Sequence, residues 1–186
     1  MLKIKFVDAQ LEEQKDADVE IKLIKLPAGF GCDAFFIAET PITEAQWCTV
    51  MGEKVENPNF PKVNVSFIEA LDFCKKASNG NFTFRLPTEL QWCRALGIEP
   101  ECLEKYAVFG YDALCEVKTK TPNEFGLYDM RGLVWEWLDS ETNIQDTKIM
   151  RGGSWFNYNV SARAVNRYDL SPGVRDYCSG FRLAVA

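Results

Sequence analysis

The 186-residue chain contains no histidine. Histidine is the side chain whose ordinary pKa lies nearest neutrality, half of every Ser-His and Cys-His nucleophile pair, and the commonest transition-metal ligand. Its absence weighs heavily against an enzyme. No apolar run approaches the roughly 20 residues that a membrane-spanning helix needs. The opening MLKIKFVDAQLEEQKDADVE turns acidic before the apolar core of a secretory signal has formed. Synthesis and folding in a cytoplasm are therefore expected, with no direct membrane insertion. A basic field is also missing, since the net charge is -6 and the pI is near 4.9, which disfavours nucleic acid and anionic lipid as partners. The seven cysteines are odd in number and include no C-x-x-C pair, so zinc and redox motifs lack support. Cys48, Cys74 and Cys93 fall in apolar helical patterns, where a reduced cysteine acts as a small buried hydrophobe.

One further absence is local. Residues 151–186 hold no Lys, Glu or Gln, although residues 1–150 hold 13, 16 and 5 of them. The chain's own composition predicts about eight of the three types in that stretch. Buried strands avoid long charged side chains, but the same segment keeps five of the eight arginines and two aspartates. It is polar and lacks only particular polar residues.

What is present is enough for a core. Apolar residues make up 47% of the chain, which fits one domain over 1–186, and no internal repeat or low-complexity linker divides it. Three stretches carry a capping box that starts a helix: Thr43-Glu-Ala-Gln46, Ser66-Phe-Ile-Glu69 and Thr88-Glu-Leu-Gln91. After Ser66, apolar residues recur at helical spacing through Ala77, and Asn79-Gly80 predicts a left-handed stop. The other two helices are shorter, closed by Gly52 and Gly97. Strands are expected at LKIKFV, EIKLIKL, AFFIAE, KIMRGG and the closing GFRLAVA. Between about 98 and 147 the chain is irregular and rich in turns and aromatic residues, so that specific packing must hold it.

In order along the chain, ITEAQW, VNVSFIEALDFC, FRLPTELQWCRALG, PNEFGLYDMRGLVWEW, IMRGGSW and GFRLA resemble the formylglycine-generating-enzyme or sulfatase-modifying family, a branch of the C-type lectin fold. The resemblance implies an irregular α+β domain with two main helices and a twisted antiparallel sheet, whose C-terminal strands frame an exposed surface. Trp135 and Trp137 flank Glu136, which in an extended segment puts both rings on one face and the carboxylate on the other. They read as core anchors for irregular chain. Asp129, Glu136 and the carbonyls of Gly132 and Val134 match positions that bind calcium in some relatives, and could supply four oxygen ligands. The family's Asn after Gly132 is Leu133 here, and the two carboxylates have other uses open to them, a turn cap for Asp129 and an internal pair for Glu136. No metal and no cofactor are expected.

The enzymes of the family hold copper with two cysteines after the GGS phrase, and those positions fall at Asn157 and Ala162. The closest cysteine, Cys178, lies sixteen residues beyond Ala162. A soft copper site cannot be rebuilt from an amide and a methyl group. Related sulfoxide synthases use histidine-ligated iron, and this chain has no histidine.

The tail resembles the variable region of diversity-generating retroelement proteins, which use the same fold. There, reverse transcription corrupts adenines, chiefly in AAY codons for Asn. Substituting the first two bases never yields Lys, Glu, Gln, Met or Trp. On the family pattern the fixed frame is Gly153, Ser154, Trp155, Arg163, Arg167, Pro172, Arg175, Gly180, Phe181 and Arg182. The variable slots are Phe156, Asn157, Tyr158, Val160, Ser161, Asn166, Tyr168, Asp169, Leu170, Ser171, Gly173, Val174, Asp176, Tyr177 and Cys178, and all fifteen belong to the reachable set. Tyrosines offering broad contact area, interspersed with Asn, Ser, Asp and Gly, resemble the content of antibody paratopes. The frame arginines Arg163, Arg167 and Arg182 are expected to point inward and hydrogen-bond backbone.

The resemblance therefore implies a non-enzymatic, receptor-like variable protein. Region 151–182 would bind a protein or cell-surface ligand, and the chain would be displayed on a virus particle or a cell surface. The alternative is a formylglycine-generating-type oxidase or its inactive accessory.

Overall fold

The computed structural model describes residues 3–7, 19–158 and 164–185. Each of the three capping boxes starts a helix: α1 (Glu44–Met51), α2 (Phe67–Ala77) and α3 (Glu89–Leu96). In each, the Thr or Ser hydroxyl accepts the N3 backbone N–H, and the N3 side chain accepts the cap's own N–H at 2.9–3.0 Å. The family resemblance implied two main helices and the caps three; three form, with α2 the longest. Gly52 closes α1 in the left-handed region at φ 77°. The expected left-handed stop at Asn79-Gly80 is absent, since neither residue has positive φ. Ser78 ends α2 instead, its N–H and its hydroxyl both bonding the Cys74 carbonyl, which makes a left-handed residue unnecessary.

The first sheet centres on β2 (Glu20–Leu26), with β1 (Lys3–Val7) parallel to it and β3 (Phe35–Ala38) antiparallel. Ile21 and Leu23 face a core shared with α1 and α2; Ile24 and Leu26 face one shared with α3. Cover on both faces explains why EIKLIKL is so apolar. A short parallel pair joins β4 (Ala107–Val108) to β5 (Arg131–Gly132). The second sheet runs in the order β8 (Arg167–Leu170), β7 (Lys148–Arg151), β6 (Trp135–Leu138), β9 (Ser179–Gly180). It is antiparallel except for the β6–β9 pair. The last strand, β10 (Ala184–Val185), pairs with β3 in the first sheet. The predicted strand GFRLAVA is thus split between two sheets by Phe181–Leu183.

That split has a cause in the core. Phe181 joins Trp47 and Phe73, whose rings stack at 5.5 Å. Arg182, fully buried, sends Nε and Nη2 to the two Glu136 oxygens at 2.7 Å each. Its remaining N–H groups reach the carbonyls of Ala38, Glu39 and Tyr128. One guanidinium therefore ties β3, β6 and the 128 loop to the last turn of the chain. The inward direction expected of Arg182 is observed, and Glu136 pairs internally: its Oε2 also accepts the Trp92 indole N–H at 2.9 Å. Asp129, at φ 56°, accepts the Lys118 N–H through Oδ2, while Oδ1 finds no partner among the described residues. Burial raises its carboxyl pKa to about 6.

Candidate ligand-binding surface

The C-terminal segment is fastened piece by piece. Gly153 turns the chain at φ 81° after β7. The Trp155 N–H then donates to the Leu133 carbonyl at 3.0 Å, and the carbonyls of Trp155 and Asn157 accept the N–H groups of Tyr111 and Gly110 at 2.8 Å each. Arg151 bonds the carbonyls of Ala164 and Asn166 at 3.0 and 2.6 Å, and its Nε lies 3.1 Å from Glu89. Arg167 pairs with the same Glu89 at 3.3 Å, and the Arg175 fork closes on Glu69 at the start of α2. The carbonyls of Pro172 and Asp176 accept N–H groups of Ile68 and Asn64, so residues 172–176 lie along the approach to α2.

This corrects part of the expected frame. Arg167 was expected to turn inward and bond backbone; it lies at the surface against Glu89 and reaches the Glu141 carbonyl at 3.5 Å. Arg151 is the arginine that holds carbonyls within the tail, and its sequence signal was its place at the head of RGGSW. Arg163 lies outside the described residues, as do the slots Val160 and Ser161 and the copper-enzyme position Ala162.

The other slots divide by exposure. Tyr158 is 83% exposed, Phe156 57%, Tyr177 55%, Tyr168 48% and Val174 41%, values at which large side chains offer contact area to a partner. Ser171 and Gly173 are exposed too. Asn157, Asn166, Asp169, Leu170 and Asp176 are half-buried, Leu170 against the core. Cys178 is buried.

Slots from three separate stretches meet in one cleft of about 340 Å³: Phe156 and Asn157, then Tyr168, then Asp176, Tyr177 and Cys178. Trp135 and Ser154 complete its lining. The Trp135 indole N–H and the Ser154 hydroxyl both donate to Asn157 Oδ1, at 2.8 and 2.7 Å. Where the copper enzymes have a thiolate, this chain therefore has a hydrogen-bond acceptor already engaged. Trp135 had read purely as a core anchor; its half-exposed ring, 5.6 Å from Tyr168, is part of the cleft. Burial pushes the Cys178 thiol above its ordinary range, so it stays protonated at neutral pH and is a poor nucleophile. Asp176 is the one carboxylate among the described lining residues.

The sulfatase-modifying factor enzyme 1-like domain matches residues 13–186. The chain belongs to that family. Its C-type lectin type of fold is the one the motifs implied. The inactive C-alpha-formylglycine-generating enzyme 2 of Bos taurus is 31% identical over 180 residues, covering 77% of this chain and 57% of that protein. The formylglycine-generating enzyme of Mus musculus is 24% identical over 182 residues, covering 70% and 47%. This family member thus spans about half the length of these curated relatives. Among solved structures, Treponema denticola variable protein 1 superposes with a TM-score of 0.77 at 24% identity, over 92% of this chain and 97% of that one. The Major Tropism Determinant U1 variant superposes with a TM-score of 0.57 at 12% identity, over 81% and 50%. At those identities the likeness is one of fold. Among the described residues no helix is long and apolar enough to cross a membrane.

Proposed function

We propose that this family member is a non-enzymatic, receptor-like variable protein. Region 151–182 of its single domain presents a replaceable surface to a protein or cell-surface ligand, and the protein is displayed on a virus particle or cell. The observation that carries the reading is the cleft: slots picked out from sequence alone, in three separate stretches of the C-terminal segment, converge on one opening. Meanwhile Gly153, Ser154, Gly180, Phe181 and Arg182 of the fixed frame are buried. Exposed positions tolerate most substitutions within about 0.5 kcal/mol, so contacts can be exchanged while the scaffold stays folded. The likeness in fold to proteins named for variation, one of them for tropism, supports the same reading.

The missing Lys, Glu and Gln then follow from which codons adenine-specific retroelement mutagenesis can reach. A substitution scan read by folding is expected to show tolerance at the exposed slots and collapse at Gly153, Trp155 and Arg182. Equal intolerance at both sets refutes the reading. The neighbouring DNA is expected to carry a reverse transcriptase and an adenine-rich near-copy of the codons for 151–182. The likeness to an enzyme relative named inactive keeps one rival, a formylglycine-generating-type oxidase or its inactive accessory. Copper titration with a peptide-oxidation assay separates the two, and tight copper binding by the tail would favour the rival.

A further inference from the structure

The cleft's chemistry points to one class of ligand, an inference that rests on the proposed function. Two ring pairs wall it: Trp135 with Tyr168, centroids 5.6 Å apart, and Phe156 with Tyr177, 6.1 Å apart. Trp155 packs beside the second pair, 5.6 Å from Phe156 and 6.0 Å from Tyr177, and fixes it edge to face. Aromatic faces carry the negative part of the ring quadrupole, and a cation held over them is attracted. Among the described lining residues the one carboxylate is Asp176. Asn157 Oδ1 already receives two donors. Arg175, the neighbour of Asp176, has its charge paired with Glu69. Residues 151–186 carry five arginines to two aspartates, but Arg151 and Arg167 are paired with Glu89 and Arg182 with Glu136, so among the described lining residues no cation opposes Asp176.

We infer that the cleft is an aromatic cage for a cationic side chain, lysine or arginine, presented by a protein ligand, with Asp176 as the counter-charge. A cleft of about 340 Å³ admits one such side chain with its methylene stem against the rings. The slots Phe156, Tyr168, Asp176 and Tyr177 then define this chain's specificity, while Trp135, which adenine mutagenesis of Asn codons cannot create, is the fixed wall of the cage, and Trp155 backs the Phe156 and Tyr177 rings from outside the lining.

The test titrates the full chain with four single-residue probes: the Nα-acetyl amides of arginine, lysine, norleucine and glutamate. Tryptophan fluorescence and calorimetry provide the readout. One or both cationic probes are expected to bind with a Kd in the millimolar range, about tenfold or more tighter than norleucine amide, with weaker binding as salt rises. The arginine and lysine arms distinguish guanidinium from ammonium. Asp176→Asn keeps the acceptor that Cys178 N–H uses, and is expected to weaken cation binding about fivefold. Tyr168→Leu, at an exposed position, is expected to do the same with an unchanged thermal midpoint. Norleucine or glutamate amide binding as tightly as the cations, cation affinity indifferent to both variants, or no binding of any probe at about 50 mM would each overturn the cage. If the slots still tolerate substitution in the scan, the replaceable surface survives that failure; if they do not, both fall together.

Discussion

Arg182→Met tests the contact on which the C-terminal architecture depends. The guanidinium is fully buried and all five of its N–H groups are bonded, two to Glu136 at 2.7 Å and the rest to the carbonyls of Ala38, Glu39 and Tyr128. Methionine fills much of the volume but leaves the Glu136 carboxylate buried with only the Trp92 indole N–H at 2.9 Å. Removing one partner of a buried ion pair costs about 3–5 kcal/mol, a large part of the roughly 5–15 kcal/mol that holds a domain together. With a urea dependence of about 2–3 kcal/mol/M for a chain of this size, the unfolding midpoint should fall by about 1–2 M. Urea titration followed by circular dichroism measures it. The double variant Glu136→Gln with Arg182→Met removes the stranded charge while keeping an acceptor for Trp92, and should be less unstable than the sum of the two single changes. A loss below about 0.5 kcal/mol for Arg182→Met, or strict additivity in the double variant, would refute the assigned role.

Asp129 ionises natively near 6 rather than at its ordinary 3.8, so between those values the native state holds the extra proton. Its stabilising contribution is full below pH 3.8 and is lost as pH rises through about 6, a change of up to about 3 kcal/mol. Asp129→Asn should flatten that part of the stability profile, and an unaltered profile would contradict the burial assigned to it. Gly132→Ala should unfold the domain or cost more than about 4 kcal/mol by thermal denaturation, because φ is 74° and a Cβ would overlap the Val108 carbonyl. Tyr158→Ser and Val174→Ala, both at exposed slots, should shift stability by under about 0.5 kcal/mol, whereas Phe181→Ala, inside the Trp47 and Phe73 cluster, should cost about 3–5 kcal/mol.

Local rules made much of the molecule readable. The three capping boxes each began a helix because a cap is decided within four residues, and EIKLIKL was legible as a strand because its Ile and Leu residues supply apolar contacts to both faces of the sheet. Legibility ended where distant groups compete. Ser78 displaced the Asn79-Gly80 stop by bonding the Cys74 carbonyl itself. GFRLAVA broke in two because Phe181 and Arg182 have partners in different layers. In the cleft, the slots could be picked out on the family pattern and checked against the codon table, but their depth could not: Asn157 and Cys178 turn in while Tyr158 and Val174 turn out, and no periodicity marks the difference in a segment with so little regular structure.

By itself, then, the sequence determined the helix starts and the family, since each depends on neighbours in the chain or on motifs in order along it, and it set apart the last 36 positions by their lack of Lys, Glu and Gln. Tertiary structure alone decided which of those positions share a cleft, that Trp135 walls it, and that Arg151 secures the carbonyls of Ala164 and Asn166. Those outcomes depend on a carboxylate, a carbonyl or a ring brought from dozens of residues away, and only the closed fold sets those distances.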